Sequence, residues 1–261
     1  MKKAHYLAGD MKRAFLSGHF ILAVAGTVVT LLFIAKTQVR FPQDILYIYD
    51  GVTMTRMALL VLVFGTIPYG ICFCEDFEHK YIYISVIRGD IKRYVWSKLL
   101  AVFISAFAAM ALGKLLFFLI MRLEYPWVLP DNSYYQSLLA DVRYGSIIRY
   151  SPVLYFLEGI VRESLLGGVL AVCTAYGSLF FKNRLFVYTF PVMIYYFWIN
   201  YIELWLGLPH QTTICYIFGS FYQIWSREWL DFLYALAVGI LLAGLSGFLM
   251  HKKITEEIRR V

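Results

Sequence analysis

The chain has 261 residues, of which 61% are apolar and 18% aromatic, with a mean hydropathy of +0.66 and a formal net charge of +7. That composition excludes an ordinary soluble domain, and the four cysteines, with Cys72, Cys74 and Cys173 inside apolar stretches, exclude a disulfide-stapled scaffold. Apolar runs of about 18–23 residues recur, long enough to cross a hydrocarbon core about 30 Å thick, so the expected class is an all-α membrane protein.

In chain order, Ala4, Leu7, Ala8, Met11 and Phe15 recur at helical spacing while Lys2, Lys3, Asp10, Lys12 and Arg13 fall largely elsewhere. This predicts an amphipathic helix in the headgroup plane, or else a plain basic anchor. Six spans are expected, at about 15–35, 57–74, 99–121, 164–181, 185–206 and 230–250, within a single transmembrane domain over 1–261. Ala23-Val24-Ala25 offers a small-x-small site, but the apolar run continues beyond it, so the first span is expected to stay uncleaved. Pro68 and Pro191 are expected to kink the second and fifth spans. Between the second and third spans, 75–88 contains neither Pro nor Gly, Gly89 can end a helix, and Asp90 can cap the next one through Ile91, Tyr94, Val95 and Lys98. The result is an elbow of two short helices carrying Glu75, Asp76, Glu78, Lys80, Arg88, Gly89, Asp90, Lys92, Arg93 and Lys98. The alternative is a solvated connection kept out of lipid by its charges.

Lys114 lies within the third span and Glu203 near the end of the fifth, a candidate intramembrane pair or pathway, with snorkelling of Lys114 as the structural alternative. The connection 122–163 is long. Ser151-Pro152 suits a helix start, and Glu158 and Arg162 sit one turn apart beyond it, which points to a fourth helix beginning outside the span. The aromatic stretch 207–229, broken by Gly207, Pro209 and Gly219, reads as an interfacial belt or as short helices.

Fifteen of the 24 Lys and Arg residues fall in the N-terminal segment, the elbow, the 182–184 turn and the C-terminal tail. The positive-inside rule then places both termini in the cytoplasm, and anionic headgroups account for the net charge without a nucleic-acid partner. There is no phosphate-binding loop, no nucleophile elbow, no H-E-x-x-H motif and no zinc spacing at Cys72-x-Cys74. No catalytic or metal site and no bound cofactor are therefore expected.

Glu75 at the end of the second span, followed by Arg88-Gly89, Lys92, Tyr94 and Ser97-Lys98-Leu99, resembles the corresponding connection of ABC-2 type exporter permeases, especially small six-span subunits of Gram-positive bacteria. Tyr176-Gly177-Ser178 and Lys182-Asn183-Arg184, followed by Pro191, resemble that family's fourth span, inner turn and fifth span. The chain departs from the pattern at Glu78-His79-Lys80, where a Gly-[Thr/Ser] pair is usual, and in the length of 122–163. The resemblance implies a multi-pass subunit of the bacterial plasma membrane, paired with a second identical or related permease subunit. An ABC ATPase pair carrying ATP and Mg would dock on the elbow, and the path would be lined by the first, second and fifth spans. Few charges and many aromatics suit an amphipathic peptide, drug or lipid-like cargo. A binding or immunity subunit without transport and a proton-coupled transporter remain as alternatives.

Overall fold

The computed structural model describes residues 6–79, 81–82, 91–140, 145–181, 183–209, 211–219, 224–225 and 228–259, and every regular element among them is helical. Four helices are long and apolar enough to cross a membrane: α2 (Gly18–Thr37), α6 (Ile91–Arg122), the continuous stretch Arg184–Ile202, and most of α13 (Glu228–Arg259).

α1 (Tyr6–Phe15) is a separate helix, because Ser17 turns the chain in extended conformation and accepts a hydrogen bond from the Phe20 amide at 3.2 Å. Its buried side is not the apolar stripe: Asp10 and Ala14 face inward, whereas Leu7 and Ala8 point outward. α1 therefore rests on α6 through a polar contact and turns its apolar residues toward the surroundings.

The second expected span is not one helix. α4 (Leu59–Thr66) stops, residues 67–71 form turns, and α5 (Cys72–Glu78) restarts. Pro68 lies in this gap, where it withholds an amide and clashes with helical backbone. Gly70 is needed there as well, since a Cβ would collide with the Thr66 carbonyl and the Thr174 side chain. Thr66 closes the end of α4 by donating to the carbonyls of Val63 at 2.8 Å and Tyr188 at 3.2 Å. Before α4, the connection holds a helix that the sequence did not suggest, α3 (Ile45–Thr53), capped by Asp44 and turned 78° from the segment Arg56–Thr66.

The connection after α6 folds into α7 (Ser133–Ala140) and α8 (Gly145–Tyr150), and α9 (Pro152–Gly177) starts at Pro152, well before the apolar stretch. α10 (Arg184–Phe197) is capped by Asn183, whose side chain accepts from the Leu185 and Phe186 amides, and carries Pro191 inside it. It continues through a π turn (Trp198–Ile202) into α11 (Glu203–Leu206), which ends at Gly207 in left-handed conformation, φ 57°. α12 (Ile214–Phe218) follows before α13.

α6 and α9 form the centre, antiparallel, with α1, α2 and α4 on one flank and α10 and α13 against α9. Small residues allow this closeness, as in lipid, where apolar surface alone does not drive helices together. Met110 of α6 enters a notch between Gly65 of α4 and Gly167 of α9, Gly113 of α6 meets Thr27 of α2, and Gly168 accommodates Phe103. Outward faces are apolar, with Ile21, Val29 and Phe33 on α2 and Ile240, Leu241 and Phe248 on α13 exposed.

Two clusters mark the ends. At one, Tyr6, Phe73, Ile82, Tyr94, Val95, Met250 and Ile254 pack together, which brings both ends of the chain to the same side; this is the basic end. The other, the cap end, gathers α3 and the connection after α6 around Tyr49, Phe118, Trp127 and Phe156.

Gly167→Val is expected to lower the melting temperature of the purified protein, because its side chain would collide with the Met110 sulfur and displace it from the notch, at a cost of roughly 1–3 kcal/mol for overpacking. Gly177→Ala, with nothing near its added carbon, should leave thermal unfolding unchanged.

Candidate functional site

The basic end holds a buried polar hub assembled from residues far apart in sequence. α5 contributes Asp76, the first turns of α6 contribute Tyr94, Ser97 and Lys98, α1 contributes Asp10, and the turn after α4 contributes Tyr69. Lys98 Nζ lies 2.6 Å from Asp76 Oδ2 and donates to the Cys72 carbonyl at 3.4 Å. The Tyr94 hydroxyl donates to the same Asp76 oxygen. Asp10 accepts from the Tyr69 hydroxyl and from Ser97 Oγ, each at 3.0 Å. The Lys98 ammonium is also ringed by aromatic faces, 5.3 Å from the centre of Tyr69, 5.5 Å from Phe73 and 5.4 Å from Tyr94.

Lys98 is only 1% exposed and Asp76 6%. A buried ion pair has to recover the cost of leaving water, so its remaining donors and acceptors must be satisfied. Here the hydroxyls, a carbonyl and the aromatic ring faces do so. The hub joins three helices: the Lys98 ammonium holds α5 to the head of α6, and Asp10 holds α1 to α6 and to the turn after α4.

Of the expected elbow residues, Lys80, Arg88, Gly89 and Asp90 lie outside the described residues. Asp76 and Lys98 face inward to each other, so they are structural partners rather than an outward docking face. Lys92, Arg93 and Glu78 are exposed and Glu75 is half-buried. Glu78 meets Arg184 at 3.3 Å, linking α5 to the start of α10. Both partners are exposed, so this bridge orients the elements more than it stabilises them.

In the interior, Lys114 does not pair with Glu203. Its ammonium is bonded to Glu163, which also accepts from the Tyr49 hydroxyl at 3.0 Å. The register of α6 on α9 dictates this: Met110 lies against Gly167, so one turn further along α6 faces one turn earlier on α9. Glu163 went unnoticed because it sits at the edge of the expected fourth span; the early helix start at Pro152 was the signal that it lies on a packed helix face. Glu203 instead accepts from the Ile214 amide at 2.8 Å, capping α12, while the buried Arg162 donates to the carbonyls of Tyr216 at 2.9 Å and Ile217 at 3.0 Å at its other end. A carboxylate at the N-terminus and a guanidinium at the C-terminus match the polarity of that short helix. Arg162 also meets Glu158 at 3.2 Å.

At the cap end, Asp44 accepts from the Tyr47 and Leu129 amides and from Asn132 Nδ2, and the Ile45 amide donates to the Pro126 carbonyl, so the start of α3 is stitched to the connection after α6. Asp50 of α3 accepts from the hydroxyls of Tyr134 at 2.5 Å and Tyr155 at 3.2 Å. Burial pushes its carboxyl up from 3.8 to about 7, with Asp44 and Glu163 adding to the rise, although both hydroxyl bonds oppose it.

The fold and these sites define an all-helical protein with several apolar helices able to span a membrane, consistent with a multi-pass membrane protein. Comparison with protein families, characterised proteins and solved structures finds no match. Among the described residues no cluster of His, Cys, Asp and Glu could hold a metal ion.

Lys98→Met leaves the buried Asp76 without its cation and is expected to cost about 3–5 kcal/mol, read as a lowered unfolding midpoint in detergent. Asp76→Asn should cost less, and the double variant should recover part of the Lys98→Met loss. For Asp50, the folded state favours the protonated carboxyl, so its stabilising contribution is full below about pH 4 and is lost as pH rises through about 7. The melting temperature should therefore fall across that window, and Asp50→Asn should flatten the fall.

Proposed function

We propose that this chain is the permease subunit of a bacterial ABC-2 type exporter in the plasma membrane, with both termini cytoplasmic. Two such subunits, identical or related, enclose a path, and a separate ATPase pair carrying ATP and Mg drives it. The six spans of this reading are α2, the interrupted segment α4 with α5, α6, α9, α10 with α11, and α13. The interrupted second segment and α9 complete the set because each runs between the basic end and the cap end alongside the four long apolar helices.

The observation that carries the reading is the Asp76–Lys98 hub. It ties the entry of the elbow to the head of the longest central helix and to the surface helix α1, so force applied at the elbow reaches the bundle through buried contacts. The exposed Lys92 and Arg93 on the first turn of α6 are the described residues offered to an ATPase. The cargo class is amphipathic: a peptide, drug or lipid-like molecule. The chain performs no chemistry of its own in this scheme.

The test is the subunit content and ATP hydrolysis of native complex purified through a tag on this chain. An ATPase should co-purify in stoichiometric amount, and its yield or its activity should collapse in Arg88→Glu and in the double variant Lys92→Glu/Arg93→Glu, while the permease itself still elutes as a single species. Native material free of ATPase would end the exporter reading in favour of a binding subunit or a proton-coupled transporter.

A further inference from the structure

A cavity of about 470 Å³ lies inside the single subunit, between α2, the bend joining α3 to α4, α6, α9, the π turn and α12. Its size falls in the range of sites for single small ligands, and its walls are those of such a site, mostly apolar with a few placed polar groups. Leu31, Leu62, Met110, Leu166 and Phe218 form the apolar part.

The charges on the wall do not cancel. Lys114 is matched by Glu163. Arg56 is exposed and forms no ion pair among the described residues. One positive charge is therefore in excess, on the first residue of the short turn Arg56–Ala58 that leads into α4 at the 78° bend. Tyr195, Tyr196 and Cys215 also face the space. Asn200 sits on the π turn, where the helix is widened by one residue, and fixes its own orientation by donating to the Tyr196 carbonyl at 2.9 Å. Such single π turns recur at functional sites.

We propose that this cavity binds an anionic single-chain amphiphile, its headgroup on Arg56 and its chain in the apolar chamber toward Met110 and Phe218. An uncharged amphiphile would leave Arg56 without a counter-charge, and a cationic one would oppose it. A carboxylate and a phosphate satisfy Arg56 through the same paired hydrogen bonds. The site belongs to one chain and does not rest on ATP-driven transport, so failure of ATPase co-purification and failure of binding are separate results.

The probe is a diazirine-bearing palmitate, photo-crosslinked to the full chain reconstituted in phosphatidylcholine vesicles, with the labelled residues mapped by mass spectrometry. Labelling should concentrate within 53–62 and 195–200 and be displaced by unlabelled palmitate but not by hexadecanol. Competition by lysophosphatidate at lower concentration than palmitate assigns a phosphate headgroup; the reverse order assigns a carboxylate. Arg56→Gln should raise the displacing concentration about tenfold, the loss of one charge-assisted contact, and Arg56→Lys should restore most of the affinity. Leu59→Trp should abolish labelling by filling the chamber. Labelling spread evenly over the outward faces of α2 and α13, displacement by hexadecanol equal to that by palmitate, or an unchanged Arg56→Gln titration would overturn the site.

Discussion

The antiparallel contact between α6 and α9 is the constraint from which the rest of the bundle takes its positions. In a membrane the apolar surface of a helix gains little by leaving lipid for another helix, so close approach has to come from shape. Gly167 and Gly168 let α9 come within side-chain reach of α6, and Met110 locks the register by filling the notch it shares with Gly65 of α4. Once that register is set, Lys114 has Glu163 opposite it and no freedom to seek Glu203. Glu203 and Arg162 are then left to hold the two ends of α12, which forms one wall of the interior cavity.

The cations buried among the described residues follow one rule. Each is placed where a partner from a different helix already stands: Lys98 with Asp76, Lys114 with Glu163, Arg162 with backbone carbonyls as well as its own-helix Glu158. Replacing any of these by an apolar side chain of like volume on both partners would cost little, since paired burial roughly balances desolvation. Removing one partner is what costs. Such pairs specify which helix faces which more than they add stability, and in a bundle of interchangeable apolar helices that specification has to come from somewhere.

Much of this was legible in the sequence wherever a single residue decides a helix end. Gly207 ends its helix in left-handed conformation, and the helix that Ser151-Pro152 announced starts there. Lys98 and Asp76 were visible as elbow residues, but not as partners, because their encounter depends on how the chain turns between Thr66 and Cys72. That turn was itself misread as a kink: hydropathy continues unbroken through Pro68 and Gly70, and hydropathy does not report that Gly70 must touch the Thr66 carbonyl. α3 was missed for a related reason. Its apolar residues Ile45, Leu46, Ile48 and Val52 bury against the connection after α6, so its stability is tertiary and its length too short for a periodic signal. The helix expected at the N-terminus forms as α1, but that its inner face is fixed by Asp10 was not legible, because the two hydroxyl donors to Asp10 come from elements distant in sequence.

Lys98 and Lys114 stand on the same helix, about 24 Å apart along its axis at 1.5 Å per residue. α6 has no proline between them, and its one glycine there, Gly113, is wedged against Thr27 rather than left open to bend. A continuous helix of this kind moves as a rod, so a displacement of its head at the Asp76–Lys98 pair cannot be absorbed along its length. It must appear at Lys114, where the options are to carry Glu163 and α9 along or to break a buried ion pair. The second is costly in a low-dielectric interior, so α6 and α9 translate together and the elements that yield are those joined by weaker links. The interrupted stretch between α4 and α5, the exposed Glu78–Arg184 bridge and the π turn of α10 are those links. In the exporter cycle proposed for this chain, motion at the elbow would therefore reshape the second and fifth spans around a rigid α6–α9 core, and with them two walls of the cavity that Arg56 opens.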